Sequence, residues 1–189
     1  MPQTVLPIAN GFYVSDSLPL SAQECTNWYP NIVEGIGLNQ ETLFGTEGIV
    51  QKATSGILNE LNRGAHEMAG KPYFVNGTTL YRMSDTFALK TIGTIAGTAR
   101  VSMADNGTQL MILVPSGKGY IYNHVTDAFA EITDTDFVAN GAPQFVVFID
   151  GYFCITTDSK KFIVSAINNG LAYNALDFGT AESDPDDIV

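Results

Sequence analysis

A unit of short β runs and glycine turns recurs about every 40 residues, and it limits the possible folds more than any other feature. In each copy a β run, a glycine turn, a second run and a second turn precede an apolar–aromatic pair. The first turns lie at Gly70, Gly107 and Gly151. The pairs end at Tyr81, at Tyr122 and, more weakly, at Phe162. Repeats of this length that contain only short strands are typical of β-propeller blades, which stack on copies of themselves.

The predicted fold is all-β and propeller-like, with about three stacked four-stranded antiparallel blades. The blades cover about residues 64–99, 100–142 and 143–182, within a β body of residues 61–189. Residues 1–60 lack the repeat, and several prolines divide their first half. We expect this region to form an extended N-terminal arm that packs on the β body, with one weak helical stretch at 55–62.

Two predicted strands, at residues 111–114 and 145–149, are apolar on both faces. This pattern favours inner strands that neighbouring sheets cover on both sides. Roughly three blades cannot close a ring, which needs about four or more. One apolar blade face should therefore have no neighbouring blade packed against it. Either the natural protein continues, or an oligomer covers that face, or the repeats curl into a different sandwich.

The charge of the chain argues against several classes of partner. Lys and Arg total 9 against 20 Asp and Glu, which gives a net charge of −11. A surface this acidic repels phosphate backbones and anionic lipids, so we expect no direct sequence-specific nucleic-acid binding and no membrane association. The N-terminus has neither a basic region nor a long apolar run, so we expect no signal peptide and a cytosolic site of synthesis.

The sequence contains few candidate metal ligands, and their spacing matches no metal-binding motif. His66 and His124 lie 58 residues apart, and neither has metal-ligand spacing to Cys, Asp or Glu. The stretch from Asp134 to Asp136 starts like a calcium loop but lacks the glycine and glutamate of an EF-hand, which favours a solvated loop. Cys25 and Cys154 are expected to be buried free thiols, although a disulfide between them stays open.

Catalytic motifs are also missing from the sequence. Asp105, Glu131 and Asp150 are candidates for glycoside hydrolysis only because they are carboxylates. No phosphate loop, nucleophile elbow or zinc-protease motif occurs. We therefore expect no enzyme activity, no metal and no cofactor.

Aromatic residues provide the candidate contact sites. Trp28 and Tyr29 form the only Trp–Tyr pair, and such pairs usually bury against a neighbouring surface. We predict that these two residues contact a protein partner. Stacking platforms for a sugar or a partner are a further possibility for Trp28, Tyr29, Tyr120, Tyr122 and Phe162. The blade core is the expected place for the last three of these. A carbohydrate-binding or carbohydrate-active propeller is the alternative function.

Three stretches carry a resemblance to a known family. They are residues 18–30, residues 100–107 and residues 176–186. Together they resemble the packaged-DNA stabilisation protein of short-tailed temperate phages, also called the tail hub or head-completion protein. The resemblance spans nearly the whole chain, and its motifs mark structural turns.

The resemblance implies a structural protein of the virion tail that is made in the host cytoplasm. Similar proteins join the tail below the portal, help retain packaged DNA, and seat the tail needle and tailspikes. It implies a homo-oligomer whose partners are the portal or adaptor and other tail proteins. It supplies no catalytic residues. Similar proteins continue past the third stretch, whereas this chain stops at Val189.

Overall fold

The computed structural model describes residues 26–32, 41–56 and 60–180. The chain divides into two compact units, Met1–Gln51 and Lys52–Val189. In the first unit, strand β1 (Trp28–Ile32) pairs antiparallel with β2 (Glu41–Gly45). The backbone N–H of Thr46 donates to the carbonyl of Asn27 at 2.8 Å and extends this hairpin. That the N-terminal arm packs on the β body stays a prediction.

The second unit contains three four-stranded antiparallel sheets in which neighbours in sequence are neighbours in space. Blade 1 consists of β3 (Asn62–Met68), β4 (Lys71–Asn76), β5 (Thr79–Met83) and β6 (Leu89–Thr94). Blade 2 consists of β7 (Ser102–Asp105), β8 (Gln109–Leu113), β9 (Gly119–Asn123) and β10 (Ala128–Glu131). Blade 3 consists of β11 (Pro143–Ile149), β12 (Tyr152–Thr157), β13 (Lys161–Ala166) and β14 (Asn169–Thr180). The predicted all-β fold of stacked four-stranded blades is confirmed.

The turn residues explain why the strands reverse where they do. Ala69 and Gly70 both have positive φ, 51° and 70°, and so do Asp150 and Gly151, at 51° and 89°. Both pairs are the central residues of two-residue hairpins, as type I′ turns require. The dipeptide Asn76-Gly77 suits a type I′ turn, but Gly77 is the first central residue of its hairpin and Thr78 does not have positive φ. That geometry matches a type II′ turn.

Blade 2 is covered on both faces by its neighbours. Along β8, Leu110 and Ile112 join a buried cluster that contains Val75 and Leu80 of blade 1. Met111 and Leu113 point the other way and join a second cluster. The blade 3 members of that cluster are Val146, Phe153, Ile155 and Ile163. The prediction that strand 111–114 is buried on both faces is therefore confirmed.

Blade 3 is covered on one face only within the described residues. Val146 of β11 is buried against blade 2, but Phe145, Val147 and Ile149 are 52%, 59% and 57% exposed. The prediction that strand 145–149 is covered on both sides is therefore wrong for its outer face. The reason is that, among the described residues of the second unit, no further sheet follows blade 3 to cover that side.

The third copy of the repeat is offset by one residue. Tyr81, Tyr122 and Phe162 all lie on the third strand of their blades. Tyr122 faces the preceding blade, whereas Phe162 points away from it and Ile163 occupies the buried position. Since neighbouring residues of a strand point to opposite faces, a shift of one position reverses the face. The assignment of Phe162 to the blade core is thus wrong.

A short helix, rather than the predicted solvated loop, joins blades 2 and 3. Helix α1 (Thr135–Ala139) is capped by Asp134, whose Oδ1 accepts from the backbone N–H of Asp136 at 2.9 Å and of Phe137 at 3.4 Å. Phe137 is buried in the core between these blades. The predicted helical stretch at 55–62 is not seen in its described residues, since Asn62 already begins β3.

A buried arginine fastens the connection between blades 1 and 2. Arg63 is 2% exposed, and its guanidinium donates to four backbone carbonyls. The acceptors are Ala99 at 2.6 Å, Gly77 and Ile95 at 2.9 Å, and Ala96 at 3.0 Å. The guanidinium of Arg63 thus supplies hydrogen bonds to backbone oxygens at the end of blade 1 and in the segment that leads to blade 2.

We expect Ile112→Ala to lower the free energy of unfolding by about 2–5 kcal/mol, because it leaves a cavity between two blades. Urea denaturation followed by circular dichroism measures the change. Val125→Ala is the control: Val125 is 70% exposed, and its truncation should change stability by less than about 0.5 kcal/mol. Equal losses in the two variants would contradict the sandwiched position of β8.

We expect Arg63→Met to destabilise the protein by about 2–4 kcal/mol, since it removes the donors for four carbonyls. The matched control is Arg100→Met, because Arg100 is an exposed arginine of the same connection. Thermal and urea unfolding of both variants give the comparison. If Arg63→Met lowers the free energy of unfolding no more than the control does, the four hydrogen bonds of Arg63 do not stabilise the protein.

Candidate functional site

The strongest candidate site is the outer face of blade 3, which is formed by strands β11, β12 and β13. Register places Val147 opposite Cys154, and Cys154 opposite Val164, on the side away from blade 2. Five large side chains of this face are 38–59% exposed: Phe145, Val147, Ile149, Tyr152 and Phe162. Contiguous apolar surface of this kind marks an interaction site.

Two open depressions mark this face. One has a volume of about 200 Å³ and is lined by side chains such as Phe145, Val147 and Phe162. The other, of about 360 Å³, lies between Tyr152, Phe162 and Phe178. Phe162 lines both of them, and its ring rests on Gly179, where a β-carbon would collide with it.

The chemistry of the outer face is that of apolar contact. The five exposed side chains are uncharged, and the nearby charges lie at the rim: Asp177 lines the second depression, and Lys161 Nζ lies 4.9 Å above the ring of Phe178. Burial raises the pKa of the Cys154 thiol, and the charge of Asp150 raises it further. This thiol therefore stays protonated and is a poor nucleophile.

The predicted contact residues Trp28 and Tyr29 lie on β1 in the first unit. They are 54% and 51% exposed. The ring of Tyr29 stacks on that of Phe44 of β2, with centroids 5.9 Å apart. A two-stranded hairpin that exposes aromatic rings is suited to binding a protein surface. Their role in partner contact stays a prediction.

The three candidate carboxylates do not form a catalytic pair. Asp105 accepts from His66 Nε2 at 2.6 Å, and this contact joins β3 to β7 across the boundary between blades 1 and 2. Glu131 pairs with Lys118 at 2.7 Å on blade 2. Asp150 lies in the turn between β11 and β12. Each carboxylate thus serves a separate local structure.

The tyrosines considered as sugar platforms belong to the blade core. Tyr120 is 4% exposed and stacks on Phe129 with centroids 5.6 Å apart. Tyr122 is fully buried and donates to Asp127 Oδ1 at 2.7 Å. Burial and the bond to Asp127 raise the pKa of Tyr122, while Lys90 and Tyr122 lower that of Asp127. These groups connect blades 1 and 2.

Metal and membrane sites receive no support from the described residues. Asp134 uses both carboxylate oxygens on backbone N–H groups, those of α1 and that of Tyr173 at 3.2 Å. In residues 26–32, 41–56 and 60–180, no three His, Cys, Asp or Glu side chains cluster as metal ligands. Within the same residues, no helix has the length and apolarity that crossing a membrane requires.

The sequence signal for the outer face is the apolar run at 145–149. This run indicates two apolar faces, and among the described residues of the second unit a sheet packs on only one of them. Cys154 shares the uncovered side, so it is only partly buried, whereas a buried thiol is predicted. Cys25 lies outside the described residues, so the question of a disulfide with Cys154 stays open.

Comparison with known proteins gives one family match. The family model described as "Bacteriophage P22 Gp10, beta-propeller" matches residues 4–189. No curated protein matches the chain.

Several solved structures share part of the arrangement at low identity. The Neurospora crassa Pan2 WD40 domain is 9% identical, with a TM-score of 0.46 over 64% of this chain and 36% of that one. A chain of the S. cerevisiae structure of a Dbp5 variant bound to Nup159, a Gle1 variant, IP6 and ADP is 11% identical, with a TM-score of 0.44 over 64% and 30%. A chain of the mitotic checkpoint complex is 10% identical, with a TM-score of 0.42 over 68% and 46%. The chain thus spans less than half the length of each.

We expect the contact between His66 and Asp105 to stabilise the stacking of blades 1 and 2. A double-mutant cycle of His66→Ala and Asp105→Ala, measured by urea denaturation, should give a coupling of about 0.5–3 kcal/mol. The exposed pair Lys118 and Glu131 is the reference, and its coupling should be smaller because solvent screens the two charges. Additive effects of the first two substitutions would contradict an inter-blade contact.

Proposed function

Because the chain belongs to the phage DNA-stabilisation family of the bacteriophage P22 Gp10 β-propeller, we propose that it is a tail hub or head-completion component. The protein is a phage structural protein and a component of the virion. Its proposed role is to help retain packaged DNA below the portal and to seat other tail proteins. The family match carries this proposal.

The proposed mechanism uses protein–protein contacts. The uncharged outer face of blade 3 and the aromatic hairpin of Trp28 and Tyr29 are the surfaces that support it. A net charge of −11 disfavours binding to DNA phosphates. We infer that the protein holds the genome by closing a channel, since this needs no grip on the phosphates.

The proposed partners are the portal or adaptor, the tail needle and the tailspike, with the protein itself in a homo-oligomer. We propose no catalytic role, and the engagement of Asp105 with His66 and of Glu131 with Lys118 supports this. The carbohydrate alternative gains no support from Tyr120 and Tyr122, because both are buried.

The test uses DNA-filled heads of the phage that encodes this chain, prepared without the protein. Added protein should sediment with the heads and reduce the DNA that becomes accessible to nuclease. A chain that does not bind portal-bearing heads, or that binds without changing DNA retention, would overturn the proposal.

We expect the double variant Trp28→Ala, Tyr29→Ala to bind these heads at least about tenfold more weakly, because exposed aromatic residues often dominate interfaces. The control is Val125→Ala, which truncates an exposed residue of blade 2. Far-ultraviolet circular dichroism checks that both variants fold. Unchanged binding by the double variant would exclude the hairpin as a contact site.

A further inference from the structure

We propose that a pocket beside the connection from blade 2 to blade 3 binds an arginine side chain of a partner protein. This inference rests on the proposed function, since it names a site for one of the protein–protein contacts. Three observations support it. An arginine of this chain fills the corresponding space in blade 1, blade 2 has no arginine at that position, and the pocket lining suits one.

The pocket lies between the turn that joins β8 to β9 and the connection from β10 to β11. Its volume is about 360 Å³, and every lining residue lies between 117 and 143, inside the described blades. This volume is near the lower limit of ligand sites in proteins. The pocket is therefore large enough for one long side chain, but not for a strand or a helix.

The two connections between blades begin in the same way. After β6, the backbone N–H of Ile95 donates to the carbonyl of Thr78 at 2.8 Å. After β10, the backbone N–H of Ile132 donates to the carbonyl of Gly119, also at 2.8 Å. Both isoleucines are buried. The space between the middle hairpin turn and the connection therefore has the same place in both blades.

In blade 1 this space holds the guanidinium of Arg63. It donates to the carbonyl of Gly77 in the turn between β4 and β5, and to three carbonyls of the connection, at 2.6–3.0 Å. The fold thus accommodates a guanidinium here, with backbone oxygens as its acceptors.

Blade 2 supplies no guanidinium from the corresponding position. Arg63 precedes the residue that pairs with Val75 of β4, and Met103 precedes the residue that pairs with Met111 of β8. Val75 and Met111 correspond, because each faces the following blade. Met103 packs on the cluster between blades 1 and 2. Since β7 contains no arginine, a guanidinium in this pocket has to come from another molecule.

The lining offers both kinds of contact that an arginine makes. Gly117, Gly119 and Gly141 have no side chains, so they present backbone atoms to the pocket. Phe137 and Val138 of α1 present apolar atoms. Arginine buries its methylene stem on apolar surface and directs its guanidinium to polar groups. This combination matches the lining.

Charge at the rim favours a cation. The carboxylate of Glu131 lines the pocket and pairs with Lys118 at 2.7 Å. Because solvent screens this pair, an entering guanidinium can displace the ammonium at little cost. A guanidinium also forms two parallel hydrogen bonds with a carboxylate, which an ammonium cannot do. The net charge of −11 attracts a basic segment of a partner.

The test is an NMR titration of this chain, labelled with nitrogen-15, with a blocked tripeptide that has arginine between two glycines. We expect the amide signals of Gly117, Gly119 and Gly141 to shift, with a dissociation constant on the order of 1–10 mM for a single side chain. The same peptide with citrulline, which has a similar shape but no charge, should bind at least about tenfold more weakly.

Two substitutions at the rim should have opposite effects. Glu131→Gln removes the carboxylate and should weaken binding of the arginine peptide about tenfold. Lys118→Gln frees the carboxylate of Glu131 and should strengthen binding about threefold. The matched control is Asp85→Asn, which removes the acid of another exposed ion pair, with Lys71 on blade 1. It should leave the dissociation constant within about twofold. Urea denaturation establishes that each variant is folded.

The proposal would be overturned if the three glycine signals did not shift at peptide concentrations up to about 50 mM. Equal binding of the arginine and citrulline peptides would also overturn it, and so would equal losses in Glu131→Gln and Asp85→Asn. The titration uses the isolated chain, so its failure leaves the result with DNA-filled heads unchanged. Failure to bind heads, with normal peptide binding, would instead count against the proposed function alone.

Discussion

Apolar packing between neighbouring sheets is the interaction on which this structure depends. Strand β8 shows it most directly: Leu110 and Ile112 are buried against blade 1, and Met111 and Leu113 against blade 3. A sheet with apolar residues on both faces is stable only between two other surfaces, since either face in water would forfeit hydrophobic stabilisation. Polar contacts then fix the stack. Arg63 holds the segment between blades 1 and 2, and His66 pairs with Asp105 across the same boundary.

The need to cover apolar sheet faces also underlies the candidate function of the protein. Stacking must end at blade 3 within the described residues, and it leaves uncharged apolar side chains at the surface. In a chain with a net charge of −11, such a surface is suited to another protein rather than to nucleic acid. This agrees with a virion structural protein. Asp105, Glu131 and the buried Tyr122 make contacts within and between the blades.

Much of the fold is predictable from local patterns, and the failures have physical reasons. The regular repeat and the two apolar faces of strand 111–114 predict stacked blades correctly. The prediction for Phe162 chooses the wrong face, because an offset of one residue is hard to detect when Phe162 and Ile163 are both apolar. Helix α1 is not predicted from the sequence, because its five residues are too few to show a helical pattern of apolar residues. Its signal is the capping residue Asp134, which also resembles the start of a loop.

The sequence by itself determined the strands, the turns and the all-β class. These depend on alternation between neighbouring residues and on turn positions with positive φ, such as Gly70 and Gly151. Only the tertiary structure decided which apolar faces are covered. Val146 and Val147 are the same residue type and neighbours in β11, yet one is 6% exposed and the other 59%. Their difference arises from the presence of blade 2 on one side, and a contact between distant segments is not encoded in the local pattern.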